Sequence, residues 1–192
     1  MYLKHGIRNI TMDSIASEFG VSKKTLYQYF TDKEDLVSQV VDFFLEDKEF
    51  DAKNTEPGNA IDDMLFIRNK VAYILKLYNN SIELELKRTY PSLYQKVYEA
   101  KRKRIFDNTN ENLKKGIAEG LYRNNLESTV IAKLVLGRTL YTMNPDFEVF
   151  EEYEVNSLAF FDSVLDYHMH AICTDDGLKY FKEQINKIQN ES

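Results

Sequence analysis

The stretch TMDSIASEFGVSKKTLYQYFTDKEDL, Thr11–Leu36, decides how the N-terminal part of the chain folds. Apolar residues recur at one-turn spacing on both sides of Gly20-Val21-Ser22, which indicates two short helices joined by a tight turn. We predict these helices over 12–19 and 23–30. Helices this short are marginal in water on their own, so the pair must be held together by packing.

Polar residues stand where these helices need caps. Thr11 and Ser22 are good N-caps, and Gly20 suits the left-handed conformation that ends a helix. Thr31–Glu34 has the pattern of a capping box and predicts a third, longer helix. Two helices around a glycine-containing turn form a helix-turn-helix, which places its second helix in the DNA major groove.

The second predicted helix has one apolar side and one polar side. Leu26 and Phe30 are expected to pack on Ile15, Ala16 and Phe19. Bases and phosphates could then be reached from the helix N-terminus and outer face, which carry Lys23, Lys24, Thr25, Tyr27, Gln28 and Tyr29. The alternative is that the two lysines form a solvated face and the tyrosines are half-buried core. The combination of caps, glycine turn, basic N-terminus and paired tyrosines favours DNA binding.

The segment ITMDSIASEFGVSKKTLYQYFTDKEDLV resembles the DNA-binding segment of the tetracycline-repressor (TetR) family of bacterial transcription regulators. The resemblance covers about the first 45 residues, and GIAEGLYR at Gly116–Arg123 resembles a feature that precedes the dimerisation helices. It implies that Lys23, Lys24 and Thr25 approach base edges. It also implies phosphate contacts from five further side chains, those of Thr11, Ser22, Tyr27, Tyr29 and Lys33.

The start of the chain departs from the family pattern. The family has a full first helix ahead of the glycine corresponding to Gly6, whereas only Met1–His5 stand there. We therefore expect a truncated first helix, either because the recorded start lies inside the true gene product or because most of the helix has been lost. With the first helix this short, contacts from its N-terminus to the DNA backbone would be missing, and we expect the fold to form but DNA binding to be weaker.

Beyond residue 50 the pattern is helical between turn-forming residues. Helices are predicted at roughly 59–79, 81–89, 91–122, 127–143, 149–173 and 176–190. The fold class is therefore all-α, with a helix-turn-helix domain over 1–50 and a larger helical-bundle domain for ligand binding and dimerisation over 51–192.

Composition limits where the chain works and what it binds. Because no apolar run is long enough to cross a membrane and the one cysteine, Cys173, cannot form an internal disulfide, we expect a cytoplasmic protein. The net charge of −6 argues against general affinity for nucleic acids. Residues 1–33, however, hold five Lys and Arg against three Asp and Glu, so a DNA-binding surface must be local and lie there.

Two predicted helices, at about 127–143 and 149–173, are apolar on more than one side. Covering several faces is difficult within a monomer of this size, so a homodimer through a four-helix bundle is the simplest arrangement. Burial inside one subunit is the alternative. A dimer would also place two recognition helices about one DNA turn apart on a palindrome.

Two arginines, Arg68 and Arg138, interrupt apolar stripes in the larger domain. A buried arginine needs a partner, which is either a nearby Asp or Glu or the carboxylate of a small-molecule effector. Aromatic side chains could line the effector pocket, although such residues are more often plain core. The candidate pocket comprises Phe66, Arg68, Tyr73, Tyr98, Phe106, Arg138 and Tyr141.

Features of an enzyme are missing from the pattern. His168 and His170 lie two apart, which on a helix places them on different faces, and no phosphate-binding glycine loop or nucleophile elbow is present. We therefore expect no catalytic residues, metal or cofactor. The resemblance implies a homodimeric repressor released from a palindromic operator by a small molecule. The alternative is a helical protein-interaction module with weakened or lost DNA binding.

Overall fold

A computed structural model describes residues 6–46, 58–77, 82–142 and 147–190. Within these ranges the chain is helical, without strands. The helices are α1 (Met12–Glu18), α2 (Lys23–Leu26), α3 (Lys33–Glu46), α4 (Ala60–Leu77), α5 (Ile82–Thr89), α6 (Pro91–Ala118), α7 (Ser128–Thr142), α8 (Glu152–Val155), α9 (Leu158–Ile172) and α10 (Asp175–Asn190). The all-α prediction is confirmed.

Contacts divide the chain into two compact units. The first comprises Met1–Lys48 and Leu75–Lys101, and the second comprises Glu49–Ile74 and Arg102–Ser192. The first unit thus includes α5 and the beginning of α6 in addition to the helix-turn-helix. The division at residue 50 and the functions assigned to its two parts stay predictions, and the expected truncation of the first helix concerns residues outside those described.

The core of the first unit is built where α1, α2 and α3 turn their apolar sides inward. Ile15, Leu26 and Val37 are buried there, together with Ile7 and Ile10 from the loop ahead of α1. From later in the chain Leu86 joins the core, with the partly buried residues Ile82, Tyr90, Leu93, Tyr94 and Val97 packed against it. Packing of this kind stabilises α1 and α2, which are too short to be stable alone.

The second unit is organised around a buried tyrosine. Tyr122 is 1% exposed, and its hydroxyl lies within hydrogen-bond distance of the Ala60 carbonyl (3.2 Å) and Asn112 Oδ1 (3.1 Å). Asn112 Nδ2 also donates to the Ala60 carbonyl at 2.7 Å. The resulting network fixes the start of α4 against α6, and burial raises the pKa of the Tyr122 hydroxyl, which stays protonated.

Two predicted helices end differently in the structure. The helix predicted over 91–122 stops at Ala118, because Gly120 adopts a left-handed φ of 73°. The helix predicted over 149–173 is divided into α8 and α9, where the Ser157 side chain accepts a hydrogen bond from the Phe160 N–H and caps α9. No helix among the described residues is long and apolar enough to cross a membrane.

The buried histidine of α9 predicts a pH-dependent stability. His168 is 5% exposed, and burial, with a smaller contribution from Arg138, lowers its pKa to about 4. Below its ordinary pKa of about 6.5, the unfolded chain binds a proton that the folded protein does not. Stability is therefore lost as the pH falls from about 6.5 towards 4, by about 2 kcal/mol at about pH 5.

Urea unfolding at about pH 8 and about pH 5 measures this loss. The matched variant His168→Gln stays neutral throughout, so the wild type should lose about 2 kcal/mol more than this variant between the two conditions. An equal loss in both proteins would contradict the assignment to His168.

Candidate DNA interface

Side-chain caps fix the start of α1 at Thr11. Thr11 Oγ1 accepts from the Ser14 N–H at 3.1 Å, and Ser14 Oγ accepts from the Thr11 N–H at 2.8 Å. This reciprocal pair satisfies two backbone donors at the helix N-terminus and confirms the predicted cap. The side chain of Thr11 is exposed, as a phosphate contact requires.

The turn between α1 and α2 has the geometry that its sequence predicts. Gly20 is left-handed, with φ of 64°. Ser22 Oγ accepts from the Thr25 N–H at 3.0 Å and lies 2.8 Å from Thr25 Oγ1, so Ser22 is the N-cap of α2. The turn therefore sets the direction in which α2 leaves the core.

The outer side of α2 and the turn that follows it carry the candidate DNA contacts. Lys23, Lys24, Tyr27 and Tyr29 are exposed, Tyr29 by 72%, while Leu26 is buried beneath them. Thr25 is half-buried, and its hydroxyl lies 2.8 Å from Ser22 Oγ. The alternative that the two tyrosines form half-buried core is wrong.

Two local expectations are also wrong. The α2 helix ends at Leu26, with a turn over 27–29, so Tyr27 and Tyr29 lie just beyond it. Phe19 is 69% exposed and does not contribute to the core, because α1 ends at Glu18 and Phe19 follows it as the C-cap. Phe30 packs partly buried against the core, as expected.

Lys23 is neutralised by a residue that the sequence did not point to. Its Nζ lies 2.9 Å from Asp13 Oδ1, and the hydrogen bond to Asp13 raises the pKa of Lys23. Both side chains are largely exposed, so the pair is screened by water and exchanges readily with phosphate. Of the two lysines, Lys24 is therefore the one whose charge is not paired with Asp13.

A cap opens α3, one residue away from the predicted one. Asp32 Oδ1 accepts from the Asp35 N–H at 2.9 Å, and Asp35 Oδ2 accepts from the Thr31 N–H at 2.8 Å. The pairing of Thr31 with Glu34 is therefore wrong. The Thr31 N–H, followed by the Gln39 amide, lowers the pKa of Asp35, so the cap stays charged at neutral pH.

Lys33 points back into the protein. Its Nζ lies 3.4 Å from the Arg8 carbonyl, and burial lowers its pKa while the nearby Glu85 opposes that shift. This geometry holds Lys33 beside the loop that leads into α1. A phosphate contact by Lys33 would start from this half-buried position.

Comparison with known proteins finds similarity in the N-terminal part of this first unit. Residues 1–40 match the family model described as bacterial regulatory proteins, tetR family. The match covers the N-terminal segment of a chain of 192 residues, and it shows that this segment is similar to the tetR family. Its similarity to an uncharacterized HTH-type transcriptional regulator of Mycobacterium tuberculosis, Rv0472c, is 55% identity over 38 residues, 20% of this chain and 16% of the relative. The match thus spans only 16% of the length of that curated relative.

Solved structures of similar fold cover far more of this chain. The TetR family protein CprB of Streptomyces coelicolor, solved with its operator sequence, has a TM-score of 0.63 at 11% identity and covers 100% of this chain and 92% of its own. The SmeT–triclosan complex has a TM-score of 0.56 at 16% identity and covers 89% and 85% of the two chains. At such identities these likenesses show the fold.

The candidate pocket residues lie in different surroundings. Arg68 is buried and forms an ion pair with Asp162. The sequence left open whether its partner is an acidic residue or an effector, and in the structure it is this acidic residue. Tyr73 and Tyr141 are exposed, and Tyr98 belongs to the first unit. Phe66 is half-buried, and Phe106 packs against the second core. The pocket stays a prediction.

Arg138 differs from Arg68 in having an orphaned donor. Its Nε is buried and has no hydrogen-bond partner among the described residues. Burial lowers the pKa of Arg138, and the nearby Tyr167 opposes that shift. The described residues contain no group of His, Cys, Asp or Glu suited to hold a metal.

Sequence reasoning missed two residues of this candidate interface. Asp13 binds Lys23, 10 residues further along the chain. Glu85 binds the N–H of Ile7, from which it is separated by 78 residues. Asp13 could have been found from its place in the first turn of α1, close to the start of α2. Nothing local marks Glu85, because its partner depends on how α5 packs.

Proposed function

We propose that the chain is a sequence-specific DNA-binding transcriptional regulator, acting as a homodimeric repressor that a small molecule releases from a palindromic operator. The observation that carries the proposal is the exposure of Lys24, Tyr27 and Tyr29 on one side of a capped helix-turn-helix. CprB, of similar fold, is described in complex with its operator, which supports DNA as the partner.

Base edges would be approached by Lys23, Lys24 and Thr25 at the N-terminus of α2. Tyr27 and Tyr29 would donate to phosphates, with the exposed N-termini around Thr11 and Ser22 adding backbone donors. Lys23 would exchange Asp13 for a phosphate oxygen. Among these contacts, the loss of Lys24 or of Tyr29 should weaken DNA binding most.

A homodimer is supported by apolar side chains exposed on α7 and α9. Val130, Leu134 and Tyr141 follow one stripe of α7 and are more than half exposed, as is Tyr167 of α9. On the same stripe, a Cβ added at Gly137 would meet nothing within 4 Å, so another helix could approach closely. A second copy related by a two-fold axis would cover this face with its equivalent.

Release by an effector is supported by the chemistry of the second unit. The orphaned Nε of Arg138 suits the carboxylate of a small molecule, whereas Arg68 is already paired. The SmeT structure, of similar fold, is a complex with triclosan, a small molecule. Binding would change the separation of the two helix-turn-helix units, so that they no longer match two half-sites. The protein would act in the cytoplasm.

The proposal is tested with a duplex taken from the region upstream of the protein's own gene. We expect Lys24→Ala and Tyr29→Ala each to weaken specific binding about tenfold, because each removes one contact to a base or a phosphate. Mobility shifts at several salt concentrations measure the affinity and the number of phosphate contacts.

Lys182→Ala, which removes an exposed lysine of α10, is the matched control and should bind as the wild type does. Sedimentation should give a dimer for all four proteins. A wild type that shows no preference over random DNA would overturn the regulator and favour the helical interaction module.

A further inference from the structure

A carboxylate from outside the helix-turn-helix holds the loop that leads into it. Glu85 Oε2, on α5, accepts from the Ile7 N–H at 2.5 Å and from the Arg8 N–H at 3.0 Å. Two successive N–H groups that follow a left-handed residue, here Gly6 with φ of 79°, form a concavity that suits an anion. The Glu85 carboxylate occupies this concavity.

The loop is shaped to receive this carboxylate. A Cβ at Gly6 would lie 2.7 Å from Glu85 Oε1, and the left-handed φ would strain any residue with a side chain. Only glycine therefore allows both the turn and the close approach. Buried Ile7 and Ile10 anchor the loop to the first core on either side of the exposed Arg8.

The position of α5 is fixed independently of Glu85. Leu86, the next residue, is buried in the first core, and Ile82 packs against it one turn earlier. Glu85 therefore projects from a helix that is already anchored. Glu83 of the same helix makes a separate, exposed ion pair with Lys101 at 2.9 Å.

The loop is connected to two of the candidate phosphate contacts. Thr11, the cap of α1, follows Ile10 directly, and the Nζ of Lys33, on α3, lies 3.4 Å from the Arg8 carbonyl. A shift of the loop would move both. We propose that Glu85 is a positioning residue for DNA recognition, which holds the Gly6–Ile10 loop and thereby the placement of Thr11 and Lys33. The inference rests on the proposed DNA binding.

The hydrogen bonds can be tested in the wild type alone. The Ile7 and Arg8 amides should exchange with deuterium more slowly than other loop amides, because Glu85 holds both. Exchange at the rate of free amides would overturn the proposal without any variant.

The effect on DNA is tested with duplexes that the wild type enriches from a random-sequence pool. We expect Glu85→Ala to weaken binding about tenfold, since hydrogen bonds to a charged group are lost. Glu85→Gln keeps one carbonyl oxygen able to accept from both N–H groups and should stay within about threefold of the wild type. The slope of DNA affinity against salt concentration should also be lower for Glu85→Ala than for the wild type, by the equivalent of about one phosphate contact.

The matched control is Glu83→Gln, which breaks an ion pair on the same helix and should leave affinity unchanged. Unfolding in urea confirms that each variant is folded during the binding measurement. Equal binding by Glu85→Ala and the wild type would overturn the role of Glu85, as would a Glu85→Gln variant as weak as Glu85→Ala. If the wild type enriched no sequence from the pool, this result would instead overturn the proposed function itself.

Discussion

Gly116→Ala is expected to destabilise the protein by about 3 kcal/mol, at the upper end of the usual cost of overpacking a core. A Cβ at Gly116 would lie 2.1 Å from Cδ2 and 2.3 Å from Cε2 of Tyr122, far inside contact distance. The ring cannot move aside freely, because it is buried and its hydroxyl is held by Ala60 and Asn112. The better helix propensity of alanine, about 1 kcal/mol, opposes only part of this cost.

Urea unfolding of a double-mutant cycle isolates the clash. Tyr122→Ala removes all the ring atoms that a Cβ at Gly116 would meet, including Cγ at 2.6 Å, so Gly116→Ala should cost much less in that background than in the wild type. A Gly116→Ala variant as stable as the wild type would show that α6 and Tyr122 do not pack as described.

The second large effect is expected from Arg68→Met. The guanidinium of Arg68 makes two parallel hydrogen bonds to Asp162, from Nε and from Nη2, each 2.8 Å long. The hydrogen bond to Asp162 raises the pKa of Arg68, although burial opposes the shift. Removal of the arginine leaves a carboxylate with 22% side-chain exposure unpaired, at a cost of about 3 kcal/mol.

Urea unfolding at neutral pH, compared with Arg68→Met/Asp162→Leu, measures this cost. Replacing both partners removes the unpaired charge, so the double variant should be more stable than Arg68→Met alone. If the single variant lost less than about 1 kcal/mol, the pair would contribute no more than an exposed ion pair does.

The local pattern of the sequence was sufficient to predict the helices and the helix-turn-helix. Caps, glycine turns and apolar spacing act within a few residues, so Thr11, Gly20 and Ser22 could be placed before any tertiary contact was known. Helix ends were less predictable. The end of α6 at Ala118 and the break before Ser157 depend on which of several adjacent turn-forming residues takes the left-handed or capping conformation.

Long-range partners could not be predicted in the same way. The sequence required a partner for a buried Arg68, but Asp162 lies 94 residues away, and only the packing of α4 and α9 decides between it and a ligand. The effector pocket was inferred from residue types alone. The structure places Tyr98 in the first unit and exposes Tyr73 and Tyr141, and the pocket stays a prediction.

The sequence by itself determined that the chain is helical and that a capped helix-turn-helix occupies its N-terminal part. It also determined that Lys24 and Tyr29 lie on the outer side. Hydrogen bonds and helical periodicity within about ten residues impose these features. Only the tertiary structure decided that Asp13 pairs with Lys23, that Asp162 pairs with Arg68 and that Glu85 holds the loop ahead of α1. The contacts of Asp162 and Glu85 join residues whose spacing along the chain carries no signal, and packing alone brings them together.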